Sequence, residues 1–161
     1  MNAVIIGEII LENRNKSHFK KARRMTNSED CDSELIQHCP DLTEWPDRWS
    51  YGPEDIPYGQ AILEVFKPFL LYLVRRDVGR RTIQKHIDNT WLLGGEIISY
   101  IQRDEELRDR PALEMILGSV NEEGGPLSRH IDSESAQASF DSTCRMLYRY
   151  LTTMNTEKQP R

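Results

Sequence analysis

Long apolar runs are missing from this chain. The longest is Phe69-Leu-Leu-Tyr-Leu-Val74, far short of the roughly 20 residues a bilayer requires, so no membrane span is expected. The apolar stretches Ala3-Val-Ile-Ile6 and Ile9-Ile-Leu11 are interrupted by Glu8, with no basic region before them and no small-residue cleavage site after them. Export is therefore not expected. Cysteine is also scarce. Cys31, Cys39 and Cys144 are an odd number without a CxxC pair, which argues against a disulfide framework and for a reducing cytoplasm. His38 lies near Cys31 and Cys39, but the spacing matches no standard site and supplies no fourth ligand, so no metal and no cofactor is expected. A basic excess is absent too: 21 Lys and Arg against 26 Asp and Glu give a net charge of -5, whereas a protein that lives on nucleic acid is usually basic.

Catalytic motifs are equally wanting. Neither HExxH nor GxSxG occurs, and Gly124-Gly125 lacks the Lys and Ser/Thr of a phosphate loop. His86 and Asp88 lie two apart, on different faces of any helix that carries them.

What is present is charge in blocks. Arg14, Lys16, Lys20, Lys21, Arg23 and Arg24 have no acid among them, and residues 25–56 then set nine acids against Arg48 alone. Like-charge blocks without apolar periodicity mark solvated or disordered chain. Residues 1–40 are therefore expected to be a variable extension, 41–153 a helical domain and 154–161 a frayed tail. The first part of that domain is rich in aromatics and turn residues, an irregular lead-in whose Trp45, Trp49 and Tyr51 are expected to pack on the helices, the alternative being an aromatic platform for bases or a ligand.

Helical periodicity begins after it. Ile62, Phe66, Phe69, Leu70 and Leu73 share a face over residues 55–76, with Pro68 expected to kink or interrupt the helix. Residues 80–102 follow Gly79 with Ile83, Ile87, Trp91, Ile98 and Ile101 on one face, widened by Leu92, Leu93 and Ile97. Pro111 suits the first turn of a third helix bearing Leu113, Ile116, Leu117 and Val120. A last helix starts at Asp132 or Ser133 and carries Phe140, Cys144, Leu147, Tyr148 and Leu151 inward, with Cys144 a small core residue. The fold class is thus all-α, a compact bundle of about four to five helices behind an irregular or partly disordered N-terminal extension.

Two features stand out within it. Gly94 and Gly95 interrupt an apolar helix at about 1 kcal/mol each relative to alanine. Close approach of another helix backbone would offset that cost, with Glu96 reaching a basic or amide partner. Alternatively Glu96 is a buried acid, base or ligand, sharing a pocket with His86 or His130. The second feature is the cluster Arg75, Arg76, Arg80, Arg81 and Lys85 around a helix N-terminus, where backbone donors and the macrodipole favour phosphate. A solvated face, or salt bridges to Asp104, Glu105, Glu106 or Asp109, is the competing use of these cations.

Phe69-Leu-Leu-Tyr-Leu-Val-Arg-Arg-Asp-Val-Gly-Arg-Arg-Thr82, followed by a long helix, resembles the helical core-binding domain of tyrosine recombinases, in which a helix ends, a short turn follows and a threonine opens the next helix. The similarity covers residues 60–101. It implies a helix arrangement and DNA contact, since in that family this domain clamps DNA and a separate, larger domain supplies catalysis. The chain is not expected to hold that second domain, and none of its histidines opens the family's His-x-x-Arg motif: His18, His38, His86 and His130 are followed three residues on by Lys21, Asp41, Asn89 and Ser133. Residues 45–151 also resemble small bacterial proteins, a similarity that implies no function. The expected function is a non-catalytic interaction module, of the kind a mobile element carries, with a protein or a second copy as partner. The alternative is an accessory DNA-binding protein using the basic cluster on phosphates. A small enzyme with Glu96 in a pocket is the third.

Overall fold

A computed structural model describes residues 28–157, of which 78% are helical, and no strand occurs among them. Six α-helices follow in order: α1 Ser28–His38, α2 Trp45–Trp49, α3 Ile56–Val74, α4 Arg80–Arg103, α5 Ala112–Ser119 and α6 Glu134–Glu157, with short 3-10 turns at Leu42–Glu44, Pro53–Asp55 and Glu105–Asp109. The all-α expectation holds. No helix among the described residues is long and apolar enough to cross a membrane. The basic block at residues 14–24 and the two N-terminal apolar stretches lie outside the described residues.

The middle of the fold is α3, which touches α1, α2, α4 and α5, while α4 carries α6 on another side. Ile62, Phe66, Phe69, Leu70 and Leu73 are all buried, as their spacing predicts. Pro68 neither ends nor splits α3, which runs unbroken through it. Backbone meets backbone closely at Gly59, where a Cβ would stand 3.1 Å from Pro46 Cα on α2. That is the close helix approach expected at Gly94-Gly95, found instead at a glycine the sequence did not single out.

The boundary at residue 40 falls inside folded chain. Helix α1 begins with Glu29 and Asp30 and ends with His38, charges that complement its dipole. It contributes Leu35 at 2% exposure, and Cys39 just beyond it at 5%, to the core. Lys67 on α3 binds Asp32 at 3.2 Å, and Arg75 binds Glu34 at 2.8 Å. Only two core residues, spaced by four inside an acidic run, mark this helix, which is too sparse a signal to read as periodicity. At the other end α6 continues to Glu157, past the expected start of the tail. Of its two candidate caps, Ser133 is the one used: its Oγ accepts from the Ala136 N–H at 3.1 Å.

Two further polar links fasten the fold. Asp55, 1% exposed, accepts from the backbone N–H of Tyr51 at 2.9 Å and of Gly52 at 3.3 Å, and from Arg108 Nη2 at 2.6 Å. Burial opposes its charge, but the Arg108 hydrogen bond, the backbone donors and the guanidinium charge prevail and hold the carboxyl below the ordinary carboxylate range. Between α4 and α6, Thr143 Oγ1 lies 2.8 Å from His86 Nδ1 and accepts from Asn89 Nδ2 at 2.9 Å. Burial, then the charges of Arg76 and Lys85, push the His86 imidazole below its usual value.

The loop between α5 and α6 is held by close contact. Gly124 is buried with a φ of 152°, a conformation side chains rarely adopt, and a Cβ there would strike Asp141. A Cβ on Gly125 would stand 2.5 Å from Cys144 Sγ. This pairing of Gly124-Gly125 with α6 fixes where the following residues, Ser128 to His130, meet α4.

Candidate functional site

On α4 the spacing of Leu92, Glu96, Ser99 and Arg103 by four, three and four residues lines them along one helix face. That row forms one wall of a cleft of about 650 Å3, closed on other sides by Arg48 to Tyr51 and by Arg129 and His130. The volume lies within the range of small-molecule sites, roughly 300 to 1,000 Å3.

The floor explains the two glycines. Trp49 from α2 lies across them: a Cβ on Gly94 would run into its six-membered ring, while one on Gly95 would stand at an ordinary 3.4 Å from Trp49 Cδ1. The indole N–H donates to the Trp91 carbonyl at 2.9 Å. An aromatic side chain, not a helix backbone, is therefore what the Gly94 position accommodates.

Glu96 is 9% exposed, and its Oε1 accepts from Ser128 Oγ at 2.5 Å, while that same Oγ accepts from the His130 backbone N–H at 3.1 Å. The partner of Glu96 is thus a hydroxyl from the loop, rather than the basic or amide group expected. Its second oxygen has no hydrogen-bond partner among the described residues. His130 lines the cleft, but its ring makes no hydrogen bond to Glu96, and His86 is turned to Thr143 instead.

Three arginines line the same cleft as this acid. Arg103 folds back one turn to donate to Ser99 Oγ at 3.0 Å, with its guanidinium 5.9 Å from the Tyr100 ring centroid. Arg48 is paired with Glu44 at 2.7 Å and Asp41 at 3.4 Å. Arg129 is exposed and makes no salt bridge among the described residues. Burial first, and then the charge of Glu96, raise the neighbouring Tyr100 phenol above its ordinary value, against the opposing effect of Arg103.

The aromatic edges differ from expectation. Trp45 and Trp49 are buried, at 1% and 4%, but Tyr51 is 66% exposed and Trp91 is 38% exposed. Both rings line the cleft, and Trp91, Leu92 and His130 also line a second, adjoining hollow of about 530 Å3. Of the expected α4 stripe, Ile83, Ile87, Leu93, Ile97, Ile98 and Ile101 are buried and Trp91 is not, while Thr90, Gly94 and Glu96 join the buried face. Thr90 can take that interior place because its Oγ1 donates to the His86 carbonyl at 2.8 Å.

The basic cluster is divided. Arg75 is bound to Glu34, and Arg76 places its guanidinium 5.7 Å from the Tyr72 centroid with Nη1 3.8 Å from Met146 Sδ. Arg80, Arg81 and Lys85 are exposed and have no salt-bridge partner among the described residues, so the acids expected to pair with them, Asp104, Glu105, Glu106 and Asp109, do not do so. The thiols of Cys39 and Cys144 are each pushed up to about 12, chiefly by burial, which leaves them protonated and inert at neutral pH. Among the described residues no group of three or more His, Cys, Asp or Glu side chains is placed to hold a metal ion.

Comparison with protein-family models, with curated proteins and with solved structures finds no match.

Sequence reasoning reached Gly94, Gly95, Glu96 and His130 but missed Arg48, Tyr51, Ser99, Arg103 and Arg129 as their neighbours. A legible signal was the polar row Glu96, Ser99 and Arg103 running at helical spacing beside an apolar stripe. The contributions of α2 and of the loop before α6 come from chain far away in sequence.

Proposed function

We propose that this chain is a helical interaction module that recognises a partner without transforming it, and that the cleft between α2, α4 and the loop before α6 is where it does so. The observation that carries this reading is the combination of exposed Trp91 and Tyr51 rings with the Arg103 and Arg129 side chains around a single concave floor. Exposed aromatic and arginine side chains dominate recognition surfaces because they offer large contact area and directional charge together. The hydroxyl that Glu96 holds, Ser128 Oγ, is buried, also accepts from the His130 N–H and does not line the cleft, and the two buried thiols are protonated, so the cleft wall itself offers recognition groups.

The DNA-binding alternative is weaker. Two of its five cations, Arg75 and Arg76, already have side-chain contacts on α1, α3 and α6, which leaves three at the start of α4 to act on phosphate. A surface at Tyr72, Tyr150 and Met154, with Tyr72 44% and Met154 41% exposed, offers a second place for a protein partner or another copy of the chain.

Titrating a set of aromatic acids, amines and zwitterions into the isotope-labelled full chain tests the reading. Shifts should gather on the Trp91 indole and on the amides of Gly95, Ser99 and Arg129. Shifts confined to the Tyr72 and Tyr150 surface, or absent altogether, contradict it.

A further inference from the structure

We infer that the cleft takes a small zwitterion of the amino-acid class, with its ammonium on Glu96, its carboxylate on Arg103 and Ser99, and an apolar side chain against Trp91. This rests on the cleft being the binding site, and it adds what the cleft selects.

Glu96 is the first part of the argument. It is more than nine-tenths buried, one carboxylate oxygen is held by Ser128, and the other has no partner among the described residues although the residue lines the cleft. That second oxygen is not buried, since Arg108 Nε is the only buried side-chain nitrogen or oxygen left without a partner among the described residues, so it is open at the cleft, where a cationic donor matches it best. The second part is the position of Arg103. Its bond to Ser99 draws the guanidinium back along α4 to a point three residues from Glu96, about 4.5 Å of helix rise. An acid and a cation are thereby presented on one helix face of the same cleft, about one turn apart, so that one ligand carrying both charges meets both. Arg129 on the facing loop adds to the positive side.

The third part is the apolar surface beside these charges. Trp91 and Leu92 lie one turn before Glu96, and the Trp49 indole covers the floor at Gly95. A side chain projecting from the ligand's α-carbon would run along them. Ligands of other charge fit less well. A nucleotide would bring its phosphates beside the Glu96 carboxylate, and a simple amine would approach Arg103 and Arg129 with nothing to offer them.

The test is titration of the full chain with L-phenylalanine, 3-phenylpropionate and phenethylamine, read by the Trp91 indole signal and by calorimetry. The zwitterion should bind in the millimolar range or tighter, and each half-ligand about tenfold more weakly or less. Glu96→Gln, which keeps an acceptor for Ser128, should cost L-phenylalanine about tenfold while leaving 3-phenylpropionate no weaker than before. Arg103→Met should do the converse, sparing phenethylamine. Circular dichroism at the same wavelengths and melting temperature verifies that both variants fold, and reversal of the half-ligand preference cannot come from a loss of structure. If 3-phenylpropionate or phenethylamine matches L-phenylalanine, the zwitterion proposal fails while the cleft remains a binding site. If no ligand of the three, and none of the wider set of acids and amines, moves the cleft signals, both fall.

Discussion

Gly94 and Gly95 look alike in sequence but face different surroundings. A methyl group at Gly94 meets the six-membered ring of Trp49, whose N–H is fixed on the Trp91 carbonyl, so the ring has little freedom to retreat. Gly94→Ala should therefore destabilise the fold by about 1 to 3 kcal/mol through overpacking. Gly95→Ala meets the ring at van der Waals distance, and its gain in helix propensity should stabilise by up to about 1 kcal/mol. Denaturant midpoints measure the contrast, and equal effects of the two substitutions would contradict this geometry. The pair was legible in the sequence as a cost needing an offset. That the offset is an indole was not, because Trp49 lies 42 residues from the carbonyl it binds.

Four helices were readable from apolar spacing: α3, α4 and α6 bury residues at intervals of three and four, and α5 buries Met115 and Ile116 with Leu113 and Leu117 half-buried beside them. Helix α1 was not readable, since Leu35 and Cys39 are its only contributions to the core. Its removal is measurable. A chain beginning at Asp41 should be less stable than one beginning at Ser28 by about 1.5 to 3 kcal/mol, the worth of one buried leucine, with the helical dichroism of the remaining bundle kept. Equal midpoints would return residues 28–40 to the extension. Helix α2 escaped notice because five residues, Pro46 among them, are too few to show a helical period. On α4 the apolar spacing misplaces Trp91 alone, because the interior positions beside it, Thr90 and Gly94, are not large apolar residues. The contact between α4 and α6 also has a pH signature. The folded chain favours the neutral His86 ring, so its contribution is present above the unfolded value near pH 6.5 and is lost as pH falls through the lower folded value. Melting temperatures followed from about pH 7 to pH 5 should fall less steeply for His86→Gln than for the native chain. Parallel curves would show that the ring does not titrate between folded and unfolded states.

At the scale of the molecule, an acidic chain of net charge -5 gathers Arg103 and Arg129 beside exposed aromatic rings at one cleft. Composition alone hid this, because the arginines concerned come from α4 and from the loop before α6, and the nearby charge of Arg48 is balanced by Asp41 and Glu44. The DNA-binding alternative directs attention to the start of α4, whereas the concave surface lies farther along it. Of the chain's three tryptophans only Trp91 is exposed, so its fluorescence reports on the cleft against a background of two buried rings. The most direct measurement is acrylamide quenching of the native chain with and without the mixed acids, amines and zwitterions. Occupancy of the cleft should shield Trp91 and remove the accessible component of quenching, a change that Trp91→Phe abolishes. Quenching that stays the same while those ligands bind would place recognition elsewhere and contradict the account.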